Sequence, residues 1–167
     1  MIFGVGTDVV ELTRIKATYA RFGERYIERL LMDEELELFR RSKWPARFLA
    51  MRFAGKEAVV KAMGTGFAHG VWIRDVGITS NSWGRPLVIW SERGQRVCER
   101  LGIGEGHVSL TDDAGLVIES VHLREKLHQG PLHFRASGCP VMQPHGSNCI
   151  YFIDEYDGWS PFPRHGE

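Results

Sequence analysis

The sequence carries no net charge. Its 167 residues include 21 Lys or Arg and 21 Asp or Glu, which cancel. A chain without a net positive charge lacks the long-range field that would draw it to nucleic acid or to an anionic membrane. We therefore expect neither of these as a partner, and any electrostatic attraction must come from a local surface.

Long apolar runs and a cysteine framework are also missing. No stretch approaches the roughly 18 apolar residues of a transmembrane helix. The apolar start MIFGVGTDVV is interrupted by Asp8, which argues against a signal peptide. The three cysteines, Cys98, Cys139 and Cys149, are odd in number and widely separated, unlike the disulfide framework of a secreted domain. We expect a cytoplasmic protein.

Hydrophobic periodicity predicts an α+β fold. A strand at the N-terminus is followed by helical patterns and then mainly by period-2 patterns. The predicted segments are a strand near 2–11, helices at 13–22, after Asp33 and at 45–63, strands at 76–79 and 87–90, a helix containing Val97 and Leu101, and strands at 107–111 and 116–123. This order indicates a largely antiparallel sheet with a long central helix and shorter helices packed on it.

The composition changes near Lys126. Five of the seven prolines lie beyond this residue, and sustained periodicity is lost there. We expect one domain at 1–125 and an atypical Pro/Gly-rich C-terminal tail at 126–167. The spacing of His133, Cys139, His145 and Cys149 in the tail fits no strong zinc template.

The first strand has one face nearly without side chains. Gly4, Gly6 and Asp8 alternate along it and therefore point to the same side. A carboxylate flanked by glycines has room beside it for another group.

The long helix separates its charges onto different sides. At about 100° per residue, Lys56 falls within the apolar arc, whereas Glu57 and Lys61 fall together on a flank with small alanines. If the first strand lies against this helix, Asp8 and Glu57 can share one site. Two carboxylates suit magnesium, which keeps several waters and takes phosphate oxygens from its substrate. The glycine turn Gly64-Thr65-Gly66 and Lys61 would complete a pyrophosphate site.

Each of these features also has a purely structural interpretation. Glu57 and Lys61 fit an i, i+4 salt bridge worth roughly 0.2 to 0.5 kcal/mol. The turn after the helix fits a C-cap, and Asp8 fits an N-cap for the next helix. Spacing alone does not decide between these interpretations and the pyrophosphate site.

Three ordered motifs carry a resemblance to a known family. GVGTDVVELTRI, RFLAMRFAGKEAVVKAMGTG and HVSLTDD resemble, in order and spacing, the holo-acyl-carrier-protein synthases, which are small trimeric phosphopantetheinyl transferases. The similarity covers residues 1–118. It implies a magnesium-dependent, homotrimeric enzyme of fatty acid biosynthesis that moves 4′-phosphopantetheine from coenzyme A to a serine of apo acyl carrier protein and releases adenosine 3′,5′-bisphosphate.

The resemblance also implies roles for individual residues. Asp8 and Glu57 would hold Mg²⁺, Lys61 would neutralise the pyrophosphate, and either Glu57 or a metal-bound water would accept the serine proton. The expected coenzyme-binding residues are Arg52, Lys61, Gly64, Thr65, Gly66 and His107, with Arg47 as a further phosphate contact.

Docking of the acidic carrier protein is assigned to the first helix, through Arg14 and Arg21. Between Arg14 and Lys61 the sequence has twelve basic and seven acidic residues, 12 − 7 = +5. A neutral chain can thus present a locally basic surface to an acidic partner.

The last predicted strand departs from the family pattern. Relatives carry an almost wholly apolar strand where this chain has Glu119, Ser120 and His122. Burying an unpaired carboxylate costs several kcal/mol. The alternative function is therefore a non-catalytic module that binds acyl carrier protein but assembles poorly as a trimer.

Overall fold

A computed structural model describes residues 1–126 of the chain. The strands are β1 (Ile2–Glu11), β2 (Val76–Ser80), β3 (Pro86–Trp90), β4 (Ile103–Asp113) and β5 (Leu116–Glu125), and the helices are α1 (Leu12–Phe22), α2 (Glu24–Leu30), α3 (Asp33–Arg40), α4 (Pro45–Met63) and α5 (Glu92–Leu101), with a 3-10 turn at Ile73–Asp75. The strands form one sheet in the order β1-β5-β4-β3-β2, antiparallel throughout.

The predicted α+β fold is confirmed. The expected tail and its His and Cys residues lie almost entirely outside the described residues. Within 1–126, no helix is long and apolar enough to cross a membrane.

Two local predictions need correction. Helix α2 was not expected, and Asp33 is the first residue of α3, whereas Met32 is the N-cap.

The central helix α4 has the predicted bounds. Pro45 occupies its first turn, where the missing N–H costs nothing. Gly64 ends the helix in the left-handed conformation at φ 71°, which glycine adopts without strain. Between these ends α4 packs across the sheet, chiefly on β1 and β5.

The hydrophobic core lies along α4 in two parts. One part joins the C-terminal half of α4 to the sheet and α5, and the other joins its N-terminal half to α1 and α2. Fully buried members include Leu30, Leu31, Leu49, Val59, Ile78 and Leu123.

The contact between β1 and α4 depends on two glycines. A Cβ atom at Gly4 would overlap the carbonyl oxygen of Ala62, and one at Gly6 would overlap that of Ala58. The strand backbone therefore lies directly on the helix backbone. This is the arrangement that the bare face of β1 predicted, and it brings Asp8 toward the Glu57 side of α4.

Lys56, about 100° around α4 from Glu57, lies in the interior. It is 0% exposed, as the helical wheel predicted. Its Nζ atom lies 2.7 Å from Oε2 of Glu35 and donates to the carbonyl oxygens of Leu30 at 2.5 Å and Ile73 at 3.2 Å. These contacts join α2, α3 and the 3-10 turn to α4, so Lys56 serves the fold.

We predict that Gly6→Ala destabilises the protein by at least about 1 to 3 kcal/mol, because the added Cβ would force β1 away from the α4 backbone. Thr7→Ala, at the exposed neighbouring position of β1, is the control and should change stability far less. Urea denaturation of both variants measures the difference, and equal stabilities would contradict the direct backbone contact.

Candidate active site

Asp8 and Lys61 meet at the junction of β1 and α4. The Lys61 Nζ atom lies 2.7 Å from Oδ1 of Asp8, with the lysine side chain 40% exposed and the aspartate side chain 12% exposed. Lys61 thus pairs with Asp8 on another element, rather than forming the i, i+4 bridge to Glu57. Nor does Asp8 cap α1, since Glu11 is the N-cap residue of that helix.

Glu57 lies one helical turn before Lys61 and is partly buried. Burial and, to a smaller extent, the negative charge of Asp8 together raise the pKa of its carboxyl to about 7, against the opposing charges of Lys61 and Arg14. The influence of Asp8 means that the two carboxylates lie within electrostatic reach of each other. The sequence prediction that Asp8, Glu57 and Lys61 converge agrees with this geometry.

Arg14 and Arg21 lie on the exposed side of α1. The charge of Arg14 acts on Glu57, so this guanidinium borders the carboxylate pair. Arg21 lies farther along the helix, with its guanidinium carbon 4.9 Å from the centre of the Phe22 ring. Both are accessible, and their expected contact with a carrier protein stays a prediction.

The glycine turn after α4 is used for capping. The N–H of Gly64 donates to the Lys61 carbonyl at 3.0 Å, and those of Thr65 and Gly66 donate to the Val60 carbonyl, each at 3.3 Å. These donors therefore close the helix end in this structure, as the C-cap interpretation expected. Contact of the turn with a coenzyme phosphate stays a prediction.

Arg47 and Arg52, in the N-terminal half of α4, have partners within the protein. Arg52 is 8% exposed; its Nε lies 3.8 Å from Glu35 Oε1, and its guanidinium stacks on the Phe48 ring. Arg47 donates to both carboxylate oxygens of Asp112, at 2.7 and 2.5 Å, and this hydrogen bonding lowers the pKa of Asp112. Their expected phosphate contacts stay predictions, and Arg52 would have to leave the interior to make one.

His107 lies at a separate place, where β3 meets β4. Its Nδ1 atom lies 2.8 Å from Nη2 of Arg85. Because a guanidinium only donates, Nδ1 accepts and the ring proton is on Nε2. Arg85 was not among the predicted site residues. Arg85 lies in the turn NSWGRP, two residues before Leu87, and Leu87 is the cross-strand partner of His107.

Glu119 adds a third carboxyl group, next to Asp8. It is 0% exposed and is the cross-strand partner of Asp8. The pKa of Glu119 is raised to about 9, chiefly by burial and also by the charge of Asp8, while Arg52 opposes the shift. The sequence identified Glu119 as a departure from the family, and the structure places it inside the molecule.

A divalent cation fits the Asp8 and Glu57 pair on chemical grounds. Both groups offer only carboxylate oxygens, the donors that magnesium prefers. The pKa of Glu57 is raised first by burial and second by repulsion from Asp8, and a cation between the carboxylates would remove that repulsion. No three His, Cys, Asp or Glu side chains within residues 1–126 are arranged to hold one ion, so any ion here would need further ligands from water or substrate.

The site is separate from a cavity found elsewhere among the described residues. That cavity, of about 550 Å³, lies between β2, β3, α5 and β4 and is lined by residues including Ile89, Trp90, Cys98 and Ile103. Asp8, Glu57 and Lys61 do not line it. Asp8 of the candidate site instead lies on β1, an edge strand of the sheet, and the Lys61 side chain beside it is 40% exposed.

The fold and the carboxylate pair agree with one enzyme class. Residues 4–116 match the model of the 4′-phosphopantetheinyl transferase superfamily. The chain belongs to this superfamily.

Its relatives narrow the identification. Over 126 residues the chain is 41% identical to the holo-[acyl-carrier-protein] synthase of Vibrio cholerae. The aligned region covers 75% of this chain and all of that protein. The crystal structure of the Neisseria meningitidis holo-[acyl-carrier-protein] synthase superposes with a TM-score of 0.72 at 36% identity, covering 75% of this chain and 100% of that one. The Helicobacter pylori enzyme in complex with coenzyme A gives 0.64 at 28% identity, covering 72% and 99%. The resemblance to the holo-acyl-carrier-protein synthases, and the prediction of a phosphopantetheinyl transferase, are confirmed.

We predict that Asp8→Asn lowers the pKa of Glu57, because it removes the nearby negative charge and frees Lys61. The folded pKa of about 7 lies above the ordinary value of 4.5. The stabilising contribution of protonated Glu57 is therefore complete below about pH 4.5 and is lost as the pH rises to about 7. This loss should be smaller in the Asp8→Asn variant.

Carbon-13 NMR titration of the Glu57 carboxyl measures the shift directly. Asp113→Asn, at an exposed aspartate at the end of β4, is the matched control. An unchanged Glu57 pKa in the Asp8 variant would show that the two carboxylates are not neighbours.

Proposed function

We propose that this chain transfers the 4′-phosphopantetheine group from coenzyme A to a serine of apo acyl carrier protein, in the cytoplasm and in support of fatty acid biosynthesis. The observation that carries the proposal is the meeting of Asp8, Glu57 and Lys61 at the β1–α4 junction. Membership of the superfamily and relatives named holo-[acyl-carrier-protein] synthase support it, as does the related structure that contains coenzyme A.

Asp8 and Glu57 would hold Mg²⁺. When bound, the ion would offset negative charge on the phosphoryl oxygens of the coenzyme. In the transfer, the serine oxygen forms a bond to the β-phosphorus while the bond from that phosphorus to the oxygen of the leaving adenosine 3′,5′-bisphosphate breaks.

Two side chains of this chain would act on that step. The ammonium group of Lys61 is partly exposed beside Asp8 and would place a positive charge near the leaving phosphate. Glu57 is a candidate acceptor for the serine proton, because its carboxyl group lies near Asp8 and Lys61 at the β1–α4 junction.

The carrier protein would approach from α1. Arg14 and Arg21 are both exposed there, and Arg14 lies near enough to Glu57 to affect its ionisation. An acidic carrier bound to this side of α1 would bring its serine toward the carboxylate pair. Complementary charge across such an interface speeds association and fixes orientation.

A homotrimer is the proposed assembly. The outward face of β1 and β5 exposes apolar side chains, with Val5 at 53%, Val9 at 56% and Ile118 at 44%. Val9 and Ile118 are cross-strand partners, so they form one patch. The buried Glu119 faces away from this patch, and of the departures in the last strand only Ser120 and His122 share the outward face.

The decisive experiment is a mass measurement on apo acyl carrier protein incubated with this chain, coenzyme A and Mg²⁺. We expect the carrier to gain one phosphopantetheine group. Glu57→Gln should slow the transfer by more than the roughly 10- to 100-fold typical of a residue that acts only through a metal ligand. Glu125→Gln, the same change at an exposed position of β5, should leave the rate unchanged. No mass gain with the unsubstituted protein would refute the proposed function.

Light scattering coupled to size-exclusion chromatography tests the assembly. We expect about three times the 19.0 kDa chain mass, and Val9→Lys should reduce it toward the monomer because a charge enters the apolar patch. Ser82→Lys, at the exposed β2–β3 turn, is the control. An inactive monomer that still binds acyl carrier protein would instead support the non-catalytic binding module.

A further inference from the structure

Glu119 occupies a position that packing alone does not explain. Strand β5 turns Val117, Glu119, Val121 and Leu123 toward α4, and all four are at most 1% exposed. Three of them are apolar and fill the core. The fourth carries a carboxylate into the same layer.

The neighbours of Glu119 place it next to the candidate metal site. Its cross-strand partner on β1 is Asp8. Directly opposed residues of an antiparallel pair point to the same side of the sheet, with Cβ atoms about 4.5 to 5.5 Å apart. Above it on α4 is Gly55, where a Cβ would lie 3.8 Å from Oε2 of Glu119. The carboxylate therefore lies between sheet and helix, beside Asp8.

The comparison with Glu35 shows what Glu119 lacks. Both are 0% exposed. Glu35 accepts hydrogen bonds from the N–H groups of Met32 and Ile78 and pairs with Lys56. By contrast, neither carboxylate oxygen of Glu119 has a hydrogen-bond partner among residues 1–126. Arg52 attracts it, but the ion pairs found in this range do not include an Arg52–Glu119 contact within 4.0 Å. A buried carboxyl group in this condition points to a partner, such as water, that is not one of residues 1–126.

We propose that Glu119 is a positioning residue of the cation site. With the ion that Asp8 and Glu57 would hold in place, its positive charge would favour the ionised carboxylate of Glu119, which would accept a hydrogen bond from a water molecule of that ion. The inference rests on the proposed function. Direct ligation by Glu119 is not supported, since no three acidic, His or Cys side chains in the described range converge on one ion. A hydrated magnesium ion offers several water hydrogens to neighbouring acceptors, and carboxylates in such outer positions orient the ion and strengthen its binding.

The alternative is that Glu119 only provides countercharge for Arg52. That role would not involve the metal. Measuring Mn²⁺ binding separates the two, because Mn²⁺ takes the same oxygen ligands as Mg²⁺ and is observed directly by electron paramagnetic resonance.

We expect Glu119→Gln to weaken Mn²⁺ binding by about 10- to 100-fold in the full chain with coenzyme A present, the range found for residues that act through a metal ligand. Glu125→Gln should change the affinity by less than about twofold, since this glutamate is exposed on β5. The number of water molecules on the bound Mn²⁺, measured with oxygen-17 water, should be the same in Glu119→Gln as in the unsubstituted protein.

Several results would overturn the inference. Equal or tighter Mn²⁺ binding by Glu119→Gln would leave Glu119 without a role at the ion. An additional water on the Mn²⁺ of this variant would make Glu119 a direct ligand instead. Circular dichroism in the absence of metal checks that Glu119→Gln is folded. If Glu119→Gln does not fold, Glu119→Ala takes its place in the same Mn²⁺-binding comparison. If the unsubstituted protein does not bind Mn²⁺ at all, the metal site of the proposed function fails together with this inference.

Discussion

The backbone of β1 lies directly on the backbone of α4 because Gly4 and Gly6 bear no side chains, and the candidate site depends on this contact. Asp8 follows two residues after Gly6, while Glu57 directly precedes Ala58, whose carbonyl faces Gly6. The close approach of the two elements therefore sets the distance between two carboxylates that are far apart in the sequence. A larger side chain at either glycine would separate strand from helix and, with them, Asp8 from Lys61.

Much of this arrangement could be predicted from the sequence because it depends on periodicity. The alternation of Gly4, Gly6 and Asp8 identified the bare face of the strand, and the helical wheel separated Lys56 from Glu57 and Lys61. Both predictions use only backbone geometry, which local sequence determines well. The bounds of α4 followed for the same reason, since Pro45 and Gly64 have strong positional preferences in helices.

Long-range partners could not be predicted in this way. Lys61 had an acidic residue at helical spacing in Glu57, but in the folded chain it contacts Asp8 on another element. Arg47 and Arg52 were expected to face substrate, yet Asp112 and Glu35 lie close enough to engage them. The glycine turn was open to two interpretations because its N–H groups serve equally well as cap donors or anion donors, and only the three-dimensional contacts show which acceptors are near. For the three basic side chains the competing partner comes from a distant part of the chain, whereas the acceptors of the glycine turn belong to the last turn of α4 itself.

The strand order has a consequence for how the molecule is made. The first strand to leave the ribosome, β1, pairs with β5, the last strand of the sheet. Until Leu116–Glu125 has been synthesised, β1 has no neighbour in the sheet and can be held only by the α4 backbone. Closing a loop of this length is slow compared with forming local helices. The nascent chain must therefore keep β1 from pairing elsewhere until β5 is made, and the five-stranded sheet can be completed only after β5 has emerged.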